Sequence, residues 1–484
     1  MPSAFLIFLM FLLMLVFGFG NQHILHDPDT AWHLATGNLI RATGNIPKHD
    51  DWSFNTLFDV WYNLSWLFDL ALSYLFDFGG LPAIYFFTVL IFASQVILMT
   101  DNCLKRGASF SSILIIILPV ASIISLGLLA RPNMLSALFT ILFYLILTNA
   151  RDFNKPRLLA ILPILMALWV NLHGGFLLAF PIMGFFLIEA WWEKRNVTIY
   201  LLLIAFCLLA TLLNPYGYSI YYGAYRTISA DFSKYLNEWK PVDIGHNIPM
   251  ASLIFLMLCF GNINDKKVKI VDRFLAISMT MLSLTSVRHA VIASLLLMPY
   301  LSLRITEVVT HSRFAAIFGK IDVVLANDMQ KKDIKILALI MLIAVCGLLS
   351  FPNPRDELLK EPIGFEKKNF PIKEAEFIAK NYPNLRFFNH YNIGGYLVYL
   401  WQGKVKVFVD GRANSLYSDD LLRDYQEFVE ARGYGHLAEL IALQYRIDGL
   451  IIPNSLEDTG LWNSNPAWKV VYRGEAATVY LKRK

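Results

Sequence analysis

A chain of 484 residues with 56% hydrophobic and 16% charged residues is far more apolar than a soluble domain, for which roughly 45–50% apolar is usual. Its apolar residues fall in long runs, which excludes an ordinary soluble enzyme and indicates a multi-pass membrane protein. The formal charge of +5 does not indicate a nucleic-acid partner, because Lys and Arg lie mostly in short loops between apolar runs, where they signal orientation.

Windows of about 20 apolar residues predict spans at Ala4–Gly20, Leu81–Thr100, Ser109–Leu128, Met134–Asn149, Leu158–Asn171, Phe176–Trp192, Ile199–Leu213, Ala251–Gly261, Phe274–Ser286, Ala290–Leu303 and Ile336–Phe351. The first run lacks a basic start and a small-x-small cleavage site, so it reads as an uncleaved anchor. Basic clusters at Lys105/Arg106, Arg151/Lys155/Arg157, Lys194/Arg195, Lys266–Arg273 and Arg304–Lys335 fall on every second loop. By the positive-inside rule those loops are cytoplasmic. The outer face then receives loop 21–80, the turns near Ala130–Pro132 and His173–Gly175, loop Asn214–Pro249, the turn at Arg288/His289, and everything after Phe351. Within the first outer loop, Trp61–Phe78 has helical spacing and carries Asp69 and Asp77, which suits a helix lying in the interface.

The expected fold is a membrane all-α bundle of about eleven transmembrane helices, N-terminus in and C-terminus out, with a C-terminal extracytoplasmic α/β domain. Residues 1–351 form the membrane domain and 352–484 the soluble one. In the latter, Ile372–Asn381, Gly395–Trp401, Asp419–Ala431 and His436–Gln444 read as helices. Leu385–Phe388, Val405–Val409, Gly449–Ile452, Trp468–Tyr472 and Thr478–Leu481 read as strands. The cysteines Cys103, Cys207, Cys259 and Cys346 show no CxxC or metal spacing, so neither a disulfide framework nor a zinc site is indicated.

Charged groups at the edge of the hydrocarbon region are costly, so those gathered on one face are functional candidates. His26–Leu34 (HDPDTAWHL) places Asp27, Asp29 and His33 where the chain leaves the first span. The residue before a proline avoids the helical region, so Asp27 and Asp29 read as extended, with both carboxylates on one side for a divalent cation or an acceptor hydroxyl. Asp29 also suits the N-cap of a helix starting at Thr30, whereas no capping role is foreseen for Asp27. Asp50 and Asp51 form a second acidic pair, readable as substrate ligands or as ordinary loop solvation.

Arg131, Arg288 and His289 sit at outer span ends, where guanidinium groups suit phosphate and where arginines also snorkel to the interface. His173, in NLHGGF, precedes two glycines that permit close approach of a ligand or of backbone. Asp410 and Arg412 in FVDGRANSLY follow an expected strand, a position that suits a ligand site or a tight turn around Gly411.

An acidic motif in the first outer loop, many spans and a terminal α/β domain resemble the GT-C superfamily of membrane glycosyltransferases. The runs DPDTAWHLATGNLIRATGNIPKHDDWSFNT, RPNMLS (Arg131–Ser136), NLHGGFLL (Asn171–Leu178), LNPYG (Leu213–Gly217) and GGYLVYLWQGKVKVFVDGR (Gly394–Arg412) also look like a group of uncharacterised bacterial membrane proteins. The layout of the last part is similar to the oligosaccharyltransferase catalytic subunit. Where that family has WWDYG, this chain has His390–Tyr391–Asn392–Ile393–Gly394, without the tryptophans or the aspartate.

The resemblance implies a transferase of the inner membrane taking a sugar from a polyprenyl-(di)phosphate carrier on the outer face, with inversion. Asp27 and Asp29 would be catalytic, Asp27 as base or as ligand of a divalent cation (Mg or Mn). Arg131, Arg288 and His289 would bind the donor phosphate, and His33, Asp50, Asp51, His173, Asp410 and Arg412 the substrates. Rival readings are a polar-lipid transporter or flippase, against which stand the clean span centres and the lack of a repeat, and a non-catalytic assembly protein whose soluble domain binds a partner.

Overall fold

The computed structural model describes residues 25, 27–56, 60–229, 241–243, 245, 247–260, 268–286, 289–313, 315–328, 365, 368, 370–455 and 459–483. The expected spans Ala4–Gly20 and Ile336–Phe351, and Arg288, lie outside them. Helix α1 (Pro28–Thr43) starts with proline at its first turn and stops at Gly44, whose φ of 68° is a left-handed conformation that favours glycine. Helix α2 (Trp66–Lys105) is broken at Gly79 and Gly80, the latter at φ 65°. The expected interface helix is therefore the part of α2 before the kink. It starts at Trp66 rather than Trp61 because the Asn63 side chain accepts from the Ser65 N–H at 3.0 Å, forming a turn ahead of the helix.

Next come α3 (Phe110–Leu126), α4 (Asn133–Asp152), α5 (Ile161–Leu172), α6 (Ala179–Trp192) and α7 (Thr198–Ala210). They are followed by α8 (Ile220–Ser229), α9 (Ile248–Phe260), α10 (Ile270–Thr285), α11 (Ala290–Thr310) and α12 (Ala315–Asp328). Among the described residues, four helices are long and apolar enough to cross a membrane: Trp66–Lys105, Asn133–Asp152, Gly174–Trp192 and Ala290–Thr310. Shorter apolar helices occupy Phe110–Ile124, Pro156–Leu172, Thr198–Ala210 and Ile248–Cys259. The chain is a multi-pass membrane protein.

By packing, the described residues fall into two units, one within 86–217 and 241–328 and the other within 25–85, 218–229 and 365–483. The first loop, placed with the membrane domain by sequence, thus groups with the C-terminal α/β part.

In the first unit the apolar core includes the fully buried Trp169, stacked on Phe139 at 5.5 Å. Several of its charged residues pair with one another. Arg106 donates to Tyr144 Oη at 2.8 Å and pairs with Asp272. Arg151 and Arg195 meet Glu189 at 2.9 and 3.0 Å, and Glu189 also accepts the Val271 N–H at 3.2 Å. Arginines read as orientation signals are therefore also ties between helices.

In the second unit a sheet of order β1-β2-β4-β3 is formed by β1 (Phe387–Asn389), β2 (Gly449–Pro453), β3 (Trp468–Arg473) and β4 (Ala477–Lys482). The β1–β2 pair is parallel and the other two are antiparallel. The crossover from β1 to β2 contains α14 (Tyr391–Trp401), a short α15 (Ala413–Leu416), α16 (Asp419–Glu430) and α17 (Gly435–Gln444), while α13 (Ile372–Asn381) precedes β1 and α18 (Thr459–Ser464) precedes β3.

Val405–Val409, expected as a strand, makes only a bridge between Val407 and Ser53 of the first loop. The buried Asn389 side chain explains it. Its Oδ1 accepts the Phe408 N–H and its Nδ2 donates to the Val409 carbonyl, both at 2.7 Å, so a side chain replaces the ladder a neighbouring strand would supply.

Candidate functional site

Asp27 is the N-cap of α1, in extended backbone at φ −90° and ψ 120°, and its Oδ1 accepts the Asp29 N–H at 3.1 Å. This corrects the sequence expectation twice: the cap is Asp27 and not Asp29, and Asp29 sits in the first helical turn rather than in an extended segment. Proline at the first helical position sets this register, since its fixed φ suits the helix and its missing N–H is no loss there. Both carboxylates are largely buried at the helix N-terminus.

Two glycines let other segments close on this motif, and a third lets those segments close on each other. A Cβ on Gly395 of α14 would lie 2.1 Å from the Pro28 carbonyl oxygen. One on Gly411 would lie 1.7 Å from Asp29 Oδ1 and 2.9 Å from Trp32 Nε1. One on Gly394 would lie 2.2 Å from the Val409 oxygen and 2.7 Å from Asp410 Cα. The YNIGGY and VDGR motifs thus form a cradle for DPDTAW that no side chain larger than hydrogen at these positions would allow.

Behind the cradle lies a buried charge cluster. Arg412 donates from Nε and Nη2 to Asp410 at 2.9 and 2.7 Å, and from Nη1 to Asp50 at 2.7 Å. Tyr417 Oη donates to Asp410 at 2.9 Å. The guanidinium lies 5.1 Å from the Trp52 ring centroid and 5.0 Å from that of Trp61. Asp50 also accepts from Ser53 Oγ and, at 3.0 Å, from the Trp52 N–H. Burial pushes the Asp50 carboxyl up, but the Arg412 charge and these hydrogen bonds overcome it and hold the group below the usual carboxylate range. Asp51 is exposed beside the cluster.

His33 is turned elsewhere. Its Nδ1 meets Asp69 at 2.6 Å, and Asp69 also accepts from Asn63 Nδ2 at 2.7 Å. His33 and Asp69 are buried between α1 and the first part of α2, where Gly37 lets the helices meet.

In the first unit, His173 Nδ1 contacts Ser136 Oγ at 2.6 Å and accepts the Gly175 N–H at 3.1 Å, and Ser136 accepts from Trp169 Nε1 at 2.8 Å. Two hydrogen bonds into Nδ1 place the ring proton on Nε2. Asn171 Nδ2 donates to the Leu213 carbonyl at 2.8 Å, so the motifs RPNMLS, NLHGG and LNPYG meet in one unit. Arg131 is half-buried just before α4, and His289 is the N-cap residue of α11 without a side-chain cap bond.

Sequence reasoning missed Trp32, Asp69, Ser136 and Tyr417. Only Asp69, a charge inside an apolar helical pattern, carried a signal. Among the described residues no three His, Cys, Asp or Glu side chains gather to hold a metal ion. Asp27 and Asp29 supply two carboxylates, and one oxygen of Asp27 is engaged by the helix, so the described donor set does not build a cation cage.

No protein-family model and no curated protein matches the sequence. The architecture nevertheless defines the class: a polytopic membrane protein of GT-C-like fold. The archaeal oligosaccharyltransferase AglB from Archaeoglobus fulgidus, in complex with an inhibitory peptide and a dolichol-phosphate, superposes with a TM-score of 0.59 at 10% identity, covering 93% of this chain and 69% of that one. The Archaeoglobus fulgidus oligosaccharyltransferase in complex with Zn and sulfate gives 0.55 at 11% identity, over 99% and 73% of the two chains. ArnT from Cupriavidus metallidurans, bound to undecaprenyl phosphate, gives 0.48 at 11% identity, over 98% and 97%. At such identities the likeness to the two oligosaccharyltransferase structures is one of fold.

Proposed function

We propose that this protein is a membrane glycosyltransferase that moves a sugar from a polyprenyl-(di)phosphate carrier to an acceptor on the outer face of the inner membrane, with inversion at the anomeric carbon. The observation that carries the reading is the Asp27–Asp29 carboxylate pair, fixed at the start of α1 and closed in by Gly395 and Gly411. The fold shared with AglB, which is bound to a dolichol-phosphate in one complex, supports a lipid-phosphate donor. The charge pattern of the loops supports a bundle of about eleven spans with the N-terminus inside and the α/β part outside.

Capping engages Asp27 Oδ1, and this moves the base role expected of Asp27 to Asp29, with Asp27 holding the turn. The acceptor hydroxyl gives its proton to the carboxylate while its oxygen bonds to the anomeric carbon. The bond from that carbon to the phosphate oxygen breaks, and the carrier leaves with the electron pair. Arg131, Arg288 and His289 are assigned to the charge that develops on the departing phosphate, and His173 and Asp51 to substrate contacts.

The test is mass spectrometry of surface glycans and lipid-linked intermediates in a deletion strain complemented with wild type or Asp29→Asn. Deletion and Asp29→Asn should both remove one glycan and accumulate its lipid-linked precursor. Wild-type glycans from an Asp29→Asn protein inserted at normal levels would overturn the reading and leave the non-catalytic assembly role.

A further inference from the structure

Trp32 is 8% exposed, and its indole Nε1 donates to nothing among the described residues. Buried polar groups nearly always have a partner, so such a donor points to a group that arrives from outside the chain. It stands one helical turn after Asp29, and Asp29 Oδ1 and Trp32 Nε1 both lie against Gly411, where a Cβ would meet them at 1.7 and 2.9 Å. A buried donor and a carboxylate therefore converge on one Cα that carries no side chain.

The ligand chemistry follows from that pair. A single atom serving both must accept from the indole and donate to the carboxylate, and a hydroxyl oxygen does both. An amide nitrogen cannot accept, and a phosphate would bring negative charge beside the carboxylate. We infer that Trp32 Nε1–H and the Asp29 carboxylate together hold the acceptor hydroxyl, so that the acceptor is an alcohol, of a sugar or a hydroxylated side chain, and the new bond is an O-glycosidic one. The inference rests on the glycosyl-transfer reading. The hydroxyl proton passes to Asp29, one oxygen lone pair stays on the indole N–H, and the other bonds to the anomeric carbon as the phosphate leaves.

The test uses the full-length protein in nanodiscs, with an envelope extract of the deletion strain supplying donor and acceptor. Trp32→Phe keeps the ring and removes the N–H. Its melting midpoint should be unchanged or raised, because no protein bond is lost. Transfer at limiting extract should fall tenfold or more and recover at saturation, a KM effect that a purely structural role would not give. Trp32→Leu, which also lacks the N–H, should lower transfer likewise, and it decides the matter if Trp32→Phe does not fold. Undiminished transfer by both variants, or a lowered midpoint in both with transfer per folded molecule unchanged, overturns the inference. Asp29→Asn in the same assay separates the two ideas. If it is fully active the glycosyl-transfer reading falls, and if it is inactive while the other two variants are normal only the role of Trp32 falls.

Discussion

Arg412 donates to Asp50 at 2.7 Å across 362 positions of sequence, and this pair adds a buried charge to the Val407–Ser53 bridge that joins the first loop to the segment leading into VDGR. The same guanidinium holds Asp410, so one buried cation faces two buried anions. Removing it leaves both carboxylates uncompensated, and breaking a buried pair in this way typically costs about 3–5 kcal/mol. Arg412→Ala should therefore lower the unfolding midpoint in a denaturant titration by that order. Arg412→Lys should recover only part of it, because a lysine lacks the planar fork that reaches both partners. A melting curve for Arg412→Ala equal to wild type would show that the cluster carries no stability.

His390 gives a pH dependence of definite sign. It caps α14, its Nδ1 accepting the Asn392 N–H at 3.2 Å, and burial pushes its pKa down to about 4 from an ordinary 6.5. The unfolded chain thus takes up a proton near 6.5 that the folded one refuses until about 4. Stability from this group is complete above 6.5 and is lost as the pH falls through that window. Thermal midpoints between pH 7.5 and 4.5 should fall in the wild type and fall less in His390→Asn, which keeps a capping side chain without the titration. Parallel curves would assign the acid sensitivity to other groups.

Much of the fold is legible because it is periodic. The apolar runs, the amphipathic Asp419–Glu430 and the β-branched Gly449–Pro453 declare themselves through neighbours a few positions away. What is not legible is long-range substitution of one partner for another. Val405–Val409 has a strand's composition, but the Asn389 side chain and the backbone of Trp52 and Phe54 take its hydrogen bonds. The site was legible in its residue types more than in its geometry. Asp27, Asp29, Asp50, Asp410 and Arg412 do come together, whereas His33 turns to Asp69, an alliance that depends on how α1 packs on α2. Nothing in the sequence marks Trp32, since only the unmet N–H sets it apart from other buried aromatics.

The capping role of Asp27 separates from any chemical role by choice of substitution. Asn caps a helix about as well as Asp, whereas Ala costs about 1 kcal/mol. Asp27→Asn should melt within about 0.5 kcal/mol of wild type, and Asp27→Ala should be less stable by about 1 kcal/mol. If Asp27→Asn holds its stability and still loses transfer, Asp27 contributes its charge as well as its cap. Equal stability of the Ala and Asn variants would mean that the bond to the Asp29 N–H does not support α1.

In the first unit, Glu189 accepts from Arg151, Arg195 and the Val271 N–H, joining α4, α6 and the start of α10 around a fully buried carboxylate. Glu189→Ala should leave Arg151 with Asp152 and Arg195 with Glu193, but it removes the buried carboxylate both also meet and the acceptor of the Val271 N–H, and should lower stability by about 1–3 kcal/mol. Glu189→Gln keeps the acceptor oxygen for Val271 but not the charge, so it should fall between. The readout is the fraction of detergent-solubilised protein that stays monodisperse after heating, compared with Lys155→Ala, whose side chain is exposed and serves as the control. Because none of the partners of Glu189 is assigned to the transfer, mild Glu189 variants should lose heat resistance while the protein that remains folded keeps its transfer activity per molecule. Loss of activity in step with the substitution rather than with unfolding would mean that the cluster serves the reaction as well as the fold.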